Sequence, residues 1–165
     1  MLFSFARYDA PEVYVMLQKE MAERIVSGPG EKSYGALSVT LGLYYEARTL
    51  MRVPREAFYP RPEVASLFLA LSRRERLPLE AGEIGLFHAL VKSAFWGRRK
   101  TLLAALSASP HLGLGRERAA RLLEEARIDG ARRGEELGRD EFVALTRACR
   151  NTISWNDDEN RTESP

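Results

Sequence analysis

The spacing of apolar residues changes near residue 77, and this change limits the folds that the chain can adopt. Before it, short apolar runs rich in β-branched residues alternate with helical stretches. The pattern predicts strands over 13–17, 46–53 and 64–71, the first of them buried on both faces, and helices over about 19–26 and 33–45. Elements in this order are part of an α/β sheet, but too few for a whole one.

After a linker at 77–82, the chain has the periodicity of helices as far as Arg150. The first helix carries an apolar stripe at spacings of three and four residues, made of Ile84, Phe87, Val91 and Phe95. Further helices are predicted over about 102–109, 116–127 and 140–150, which makes this part a small all-α domain. We therefore expect an α/β part at 1–76, a helical part at 77–150 and an acidic, disordered tail at 151–165.

The composition excludes several classes of protein. Hydrophobic residues make up 45% and charged residues 29% of the 165, which is ordinary for a globular chain. No apolar run approaches the ~20 residues of a membrane-spanning helix, and no signal-peptide pattern is present. We therefore expect a cytoplasmic chain with no membrane partner. The one cysteine, Cys149, lies in an apolar helical pattern and is predicted to be a small core residue.

Charge is distributed unevenly along the chain. The net charge is +2, but the tail after Arg150 contributes −3, which leaves +5 on residues 1–150. Much of the basic charge is arginine, whose guanidinium group pairs well with phosphate. This distribution permits an RNA partner but does not establish one, since many solvated helix faces have a similar composition.

The spacing of polar residues predicts no catalytic centre in this chain. No glycine-rich turn joins a strand to a helix, because Gly28 and Gly30 follow a helix and act as a stop signal. His88 and His111 are too far apart to indicate a metal pair, so we expect no metal. The carboxylates lie mostly next to arginines, which favours surface ion pairs.

Two segments differ from this background, and the first is the loop that begins at Phe58. Pro60 and Pro62 exclude a helix and predict a stiff, extended loop that leads into a strand. Such a loop can hold an aromatic ring at the rim of a sheet, where the ring could stack on a nucleobase turned out of its helix. The alternative is a packed core aromatic beside a rigid turn.

The second segment lies around Trp96. Arg98, Arg99 and Lys100 follow the tryptophan at a helix break, an arrangement that suits a phosphate backbone and a stacked base. If the helix continued unbroken, Lys92, Trp96 and Arg99 would share one face. Alternatively the charged run faces only solvent, and Arg98 continues the apolar stripe of the preceding helix and packs inward.

Five segments of the chain form a recognisable series. They are Met16-Leu17-Gln18-Lys19-Glu20-x-Ala22-x-Arg24, Tyr34-Gly35-Ala36-Leu37-Ser38-Val39, Phe58-x-Pro60-x-Pro62-x-Val64-x-Ser66, Phe95-x-x-Arg98-Arg99-Lys100-Thr101-Leu102, and Ile128-Asp129 followed by Arg133-x-Glu135-Glu136-Leu137 and Glu141-Phe142. In this order they resemble the C-terminal half of the KsgA/RsmA-type rRNA adenine dimethyltransferases, over roughly residues 13–148. The chain departs from that family at Gly97, where the family has glutamine, and at Ala65, where it usually has an acidic residue.

The resemblance implies that residues 1–76 are the last strands and helices of a doubly wound, Rossmann-like methyltransferase sheet, and that 77–150 form a small helical domain facing RNA. It implies transfer of methyl groups from S-adenosylmethionine to N6 of two adjacent adenosines near the 3′ end of small-subunit rRNA. By resemblance, Phe58 corresponds to the aromatic that stacks on the target adenine, and the run Arg98, Arg99 and Lys100 to a basic element facing RNA. To these we add three candidate RNA contacts, Arg61, Lys92 and Trp96.

The family's glycine-rich cofactor loop, its ribose-binding carboxylate and its Asn-Leu-Pro-Tyr-type catalytic motif have no counterpart here and are expected upstream of Met1. We therefore expect no catalytic or cofactor-binding residue in this chain, which alone would be inactive, a monomer if stable, and would expose the edge of its first strand. The alternative function is a non-catalytic RNA-binding or ribosome-assembly factor derived from the enzyme. An unrelated helical interaction domain would require all five matches to be coincidental.

Overall fold

The chain divides into two compact units, with the boundary between Leu77 and Pro78. The computed structural model describes residues 10–97 and 99–152. The expected acidic tail therefore lies outside the described residues, except for its first two positions. Those two positions belong to the last helix, so the tail as predicted began two residues too early.

The first unit is a three-stranded sheet with two helices. Along the chain lie β1 (Glu12–Gln18), α1 (Lys19–Val26), α2 (Ala36–Tyr44), β2 (Tyr45–Val53), a short 3-10 turn (Arg55–Ala57) and β3 (Ser66–Arg73). β3 occupies the centre of the sheet and runs antiparallel to both neighbours, so β1 and β2 run parallel to each other. The predicted α/β class is confirmed, and the element bounds differ from the predicted ones by a few residues.

The core of this unit lies between one face of the sheet and the two helices. Alternate residues of β3 point into it, because successive side chains of a strand face opposite sides. The buried cluster comprises Leu67, Leu69 and Leu71 of β3, Ala22 and Ile25 of α1, Leu41 of α2 and Tyr45 of β2. Val13, Val15 and Leu17 of β1 pack against the same cluster.

The prediction that the first strand is buried on both faces was wrong. Tyr14 and Met16 of β1 are 52% and 49% exposed. The reason is that α1 and α2 pack against the other face of the sheet, the one that carries Val15. Among the described residues β1 pairs only with β3.

Short-range hydrogen bonds explain where the two helices begin and end. The backbone N–H and the hydroxyl of Ser27 both donate to the Glu23 carbonyl, at 3.0 and 2.7 Å, and so close α1. The hydroxyl of Ser38 accepts from the Gly35 N–H at 3.1 Å and donates to the Arg24 carbonyl, which ties the start of α2 to the end of α1. These side chains satisfy backbone groups that a helix end leaves without a partner.

The second unit is entirely helical in its described part. It contains a 3-10 turn (Ala81–Glu83), α3 (Ile84–Ala94), α4 (Leu102–Ala108), α5 (Gly115–Glu125), a second 3-10 turn (Gly134–Glu136) and α6 (Arg139–Thr152). Phe142 of α6 packs edge-on against Phe87 of α3, with ring centroids 6.5 Å apart, and stacks on Phe95 at 6.2 Å. The predicted stripe of α3 is therefore a core stripe. Among the described residues, no helix is both long enough and apolar enough to span a bilayer.

Ion pairs tie the irregular segments of this unit to α6. The guanidinium group of Arg132 holds both carboxylate oxygens of Glu141 and donates to the Glu136 carbonyl at 2.8 Å. The buried carboxylate of Glu83 accepts from Arg150 at 3.1 Å and from the backbone N–H of Glu80 at 2.8 Å. Carboxylates were predicted to form ion pairs with arginines at the surface. Both of these form such pairs, but Glu83 is buried and not at the surface.

Candidate nucleic-acid interface

The proline-rich loop of the first unit places one aromatic ring half inside the protein and the next one in solvent. Pro54 ends β2, and the 3-10 turn that follows brings the backbone N–H of Phe58 to the Arg55 carbonyl at 3.4 Å. Phe58 is partly buried, whereas Tyr59 is fully exposed. The loop thus presents two neighbouring rings, of which the sequence predicted only Phe58.

The charge of this loop is largely balanced within it. Arg61 and Arg55 both pair with the carboxylate of Glu56. A backbone hydrogen bond at Glu56 itself, followed by these two arginines, lowers the pKa of that carboxyl group. Arg61, predicted to contact RNA, therefore lies in an ion pair at the surface and would have to leave Glu56 to bind a phosphate.

In the second unit, the predicted RNA-binding segment is a turn and not a continued helix. α3 ends at Ala94, and Gly97 has a φ of +96°. This is a conformation that glycine adopts without steric cost and other residues rarely adopt. The argument that an unbroken helix places Lys92, Trp96 and Arg99 on one face therefore does not apply. The glycine where the family has glutamine is explained by the turn.

Lys100 folds back over this turn. A Cβ at Gly97 would lie 3.1 Å from Cδ of Lys100, so the aliphatic part of the lysine occupies the space that a side chain at 97 would need. The Lys100 backbone N–H also donates to the Gly97 carbonyl at 2.9 Å. The turn thus holds Lys100 close to Gly97 and to the neighbouring Trp96.

Lys92, Arg99 and Lys100 are all exposed, and none of them pairs with an acidic side chain among the described residues. Trp96 is 44% exposed beside them. Cations that lack a protein partner are free to bind phosphate without first breaking an ion pair. Arg98, the remaining member of the predicted set, lies outside the described residues.

Burial shifts the pKa of two residues with titratable side chains, Cys149 and His88. Burial raises the pKa of the Cys149 thiol to about 12, with a smaller contribution from Glu125, so the thiolate is absent at neutral pH. Burial, and then Lys92, lowers the pKa of His88. Both residues belong to the core or its edge, as predicted. Among the residues that the structure describes, no cluster of histidine, cysteine and carboxylate groups could hold a metal ion.

The predicted RNA-binding residues fall into two groups, one in each unit. Trp96, Arg99 and Lys100 share the turn after α3, with Lys92 on the last turn of that helix. Phe58 and Arg61 belong to the other unit. Sequence reasoning did not select two further aromatic residues: Tyr59, which is next to Phe58, and His111, whose ring meets that of Trp96 at a centroid distance of 5.5 Å. The first adjoins the proline that marks the loop, but no spacing rule connects the second to Trp96.

Comparison with known proteins gives the family of the chain. The family model described as ribosomal RNA adenine dimethylase matches residues 2–145. The chain belongs to this family. The predicted resemblance is therefore confirmed.

Curated relatives within the family carry the name ribosomal RNA small subunit methyltransferase A. The chain is 42% identical over 142 residues to the protein of Moorella thermoacetica, covering 86% of this chain and 48% of the relative. It is 41% identical over 147 residues to that of Alkaliphilus metalliredigens, covering 89% and 51%. The chain thus spans about half the length of the curated relatives it matches.

Solved structures share the fold at lower identity. A dimethyladenosine transferase from Plasmodium falciparum superimposes with a TM-score of 0.79 at 21% identity, over 92% of this chain and 62% of that one. The 23S rRNA methyltransferase ErmE gives a TM-score of 0.58 at 22% identity, over 84% of this chain and 54% of that one. Both likenesses extend across most of this chain.

Proposed function

We propose that this chain is the RNA-facing half of an rRNA adenine N6,N6-dimethyltransferase that modifies two adjacent adenosines near the 3′ end of small-subunit rRNA. The observation that carries the proposal is the family match over residues 2–145, joined to relatives that are named for methylation of the small-subunit RNA. The exposed side chains of Lys92, Arg99 and Lys100, which have no acidic partner among the described residues, support the same proposal. An enzyme that acts on RNA needs contacts to the phosphate backbone.

The methyl donor of the proposed reaction is S-adenosylmethionine, and the described residues do not fit it. The turn from β1 to α1 passes directly from Gln18 to Lys19 and contains no glycine. β2 is followed by Pro54 and the 3-10 turn of the Phe58 loop, and not by a helix whose N-terminus could meet a phosphate or a carboxylate. We therefore infer that the donor binds to residues outside the described part of this chain.

The role of this chain in the proposed reaction is to bind RNA and to position the base. The nucleophile is the adenine amine itself, so the chain need not supply a general base. Phe58, partly buried at the rim of the sheet, would stack on the base, and the cations of the second unit would hold the phosphates. A partly buried ring is less free to move than an exposed one, which lowers the entropy cost of stacking.

A titration with the methyl donor and one with RNA test whether this chain binds the RNA but not the donor. The 165-residue chain is expected to bind a transcript of the 3′ end of small-subunit rRNA, with an affinity that falls steeply as salt rises. In calorimetry it is expected to show no binding of S-adenosylmethionine. Micromolar binding of the donor would contradict the assignment of the cofactor site to other residues, and absence of RNA binding would contradict the proposed function.

The alternative is a non-catalytic RNA-binding or ribosome-assembly factor derived from the enzyme, which the half-length match to the relatives keeps open. Both functions require RNA binding, so methyl transfer decides between them. We would mix the chain with the separately produced first half of the Moorella thermoacetica relative, unmethylated rRNA and radiolabelled donor. Incorporation of label only in the presence of both halves favours the enzyme. A folded, RNA-binding chain that never supports incorporation favours the factor.

A further inference from the structure

An exposed tryptophan is an unusual feature of the second unit. Trp96 leaves 44% of its surface in solvent, although a buried indole contributes more apolar contact than almost any other side chain. In sequence it lies between Lys92 on α3 and Lys100 on the turn, both of which are exposed. An aromatic face beside cations is the surface to which single-stranded nucleic acids bind, because every base has a face that can stack.

The indole is held in place by a second ring. His111, in the connection between α4 and α5, meets Trp96 edge to face, with centroids 5.5 Å apart and planes at 88°. Aromatic pairs favour this geometry. The two rings therefore contact each other at nearly a right angle, while part of the indole surface remains open to solvent.

A buried hydrogen bond fixes the distance between the two rings. The hydroxyl of Ser109 donates to the hydroxyl of Ser93 on α3 at 2.8 Å, and both serines are almost completely buried. The Ser109 oxygen also accepts from the backbone N–H of His111 at 3.2 Å. At the other end, the backbone N–H of Trp96 donates to the Ser93 carbonyl at 3.0 Å. Ser93 is thus tied to the backbone of both ring-bearing residues, directly at Trp96 and through Ser109 at His111.

We propose that Trp96 is a stacking platform for an unpaired base of the RNA and that His111 is the positioning residue that holds its indole ring. This inference rests on the proposed function, since it names the site on the second unit at which a single-stranded segment binds. The pre-set geometry matters because a ring that is already fixed loses little freedom when a base stacks on it. The neighbouring lysines bind the flanking phosphates.

The test uses the full chain, fluorescein-labelled oligoadenylate, and the matching oligomer in which abasic sites replace the bases. Trp96→Ala is expected to weaken binding of oligoadenylate by about fivefold or more and to leave the abasic oligomer almost unaffected. His111→Leu keeps an apolar side chain but removes the ring, and is expected to weaken binding of oligoadenylate in the same way. His111→Phe restores an edge-to-face ring and is expected to bind within about twofold of the original chain.

A double variant distinguishes positioning from direct contact. Because His111 acts through the indole, His111→Leu is expected to cause no further loss once Trp96→Ala is present. A further loss in that background, or equal affinity of His111→Leu and the original chain, would overturn the inference while leaving the proposed function intact. Failure of the original chain to bind either oligomer or the rRNA transcript would overturn both this inference and the proposed function.

Thermal unfolding of each variant shows that the losses of affinity do not come from a misfolded chain. If His111→Leu does not fold, the comparison of His111→Phe with the original chain still tests the inference.

Discussion

Gly134 lies so close to the end of α3 that a Cβ at this position would be 2.5 Å from the carbonyl oxygen of Ala94. The obstacle is backbone, which cannot rotate away as a long side chain could. Gly134→Ala is therefore expected to lower the free energy of unfolding by about 1–3 kcal/mol. Urea denaturation followed by circular dichroism measures the change.

Gly42 provides the control for this substitution. It lies inside α2, and a Cβ there would meet nothing within 4 Å. Gly42→Ala should raise stability by about 0.5–1 kcal/mol, since alanine favours a helix more than glycine does. Equal effects of the two substitutions would show that the approach of Gly134 to Ala94 is looser than the structure indicates.

The ion pair between Arg132 and Glu141 predicts a dependence of stability on pH. The hydrogen bonds from Arg132, and then one from the Gly138 backbone, lower the pKa of the Glu141 carboxyl group below its ordinary 4.5. A lowered pKa means that the stabilisation is present above the ordinary value and is lost as the pH falls through the lowered value of the folded state. The side chains are 32% and 37% exposed, so solvent screening limits the contribution to about 1 kcal/mol at pH 7.

Glu141→Gln measures this contribution. The difference in unfolding free energy between the variant and the original chain is expected to narrow as the pH is lowered from 7 into the acid range. Glu117→Gln is the matched control, because Glu117 pairs with Arg121 on the surface of α5 with 80% of its side chain exposed. It should change stability by less than about 0.5 kcal/mol. If the difference in unfolding free energy between Glu141→Gln and the original chain stayed constant with pH, the ion pair would not be the source of the pH dependence.

Arg127, two positions beyond the end of α5, has a φ of +56°, in the left-handed region. Its backbone N–H donates to the Glu124 carbonyl at 3.0 Å, and that of Ile128 donates to the Leu123 carbonyl at 2.9 Å, so this residue reverses the chain at the helix end. Glycine adopts such a conformation without the cost that a Cβ brings. Arg127→Gly is expected to raise the free energy of unfolding by about 1 kcal/mol relative to Arg127→Ala, which removes the same charge but keeps the Cβ. Equal stability of the two variants would show that the position carries no strain.

Lys92, Arg99 and Lys100 should account for part of the salt dependence of RNA binding. Each phosphate contact that is lost is expected to reduce the slope of log affinity against log salt concentration by about 0.7 for a single strand. The substitutions to alanine are made one at a time and measured by fluorescence anisotropy across a salt series. Arg121→Ala, which removes a cation already paired with Glu117, serves as the control and should leave the slope unchanged.

The base-stacking ring that we propose for the first unit is either Phe58 or Tyr59. The resemblance assigns the role to Phe58, although Tyr59 is the more exposed. Phe58→Ala is expected to weaken stacking of 2-aminopurine, placed at the target adenosine of an RNA transcript, by about 5- to 150-fold, the equivalent of 1–3 kcal/mol per base. Tyr59→Ala should have little effect. The reverse result, read from 2-aminopurine fluorescence, would move the role to Tyr59.

Local patterns predicted most of the elements, because their causes are local. The stop after Val26 follows from Ser27 and the glycines beyond it, and the stripe on α3 follows from its spacing. The order of the strands in the sheet could not be predicted from local patterns. β1 and β3 pair across some fifty intervening positions, and no short pattern encodes such a partner. For the same reason the exposure of Tyr14 was missed, because it depends on which face the helices cover.

The candidate RNA-binding residues divide in a similar way. Charge and aromatic content indicated the segment around Trp96, and proline spacing indicated the Phe58 loop. The contact between Trp96 and His111 was not predictable, because α4 separates the two residues and only the packing of three helical elements brings them together. The glycine at position 97 indicated a break in the helix, but not that Lys100 would fold back against it.

The central position of β3 has a consequence for how the protein is made. β1 and β2 leave the ribosome first, yet among the described residues neither pairs with the other, and both pair with the later strand β3. The described strands therefore cannot pair one after another in the order of synthesis, as the strands of consecutive hairpins could. Until the stretch ending at Arg73 has emerged, neither earlier strand can form the hydrogen bonds that it makes with β3. A pause in translation before that point would lengthen the time in which a chaperone, or another nascent chain, could capture them.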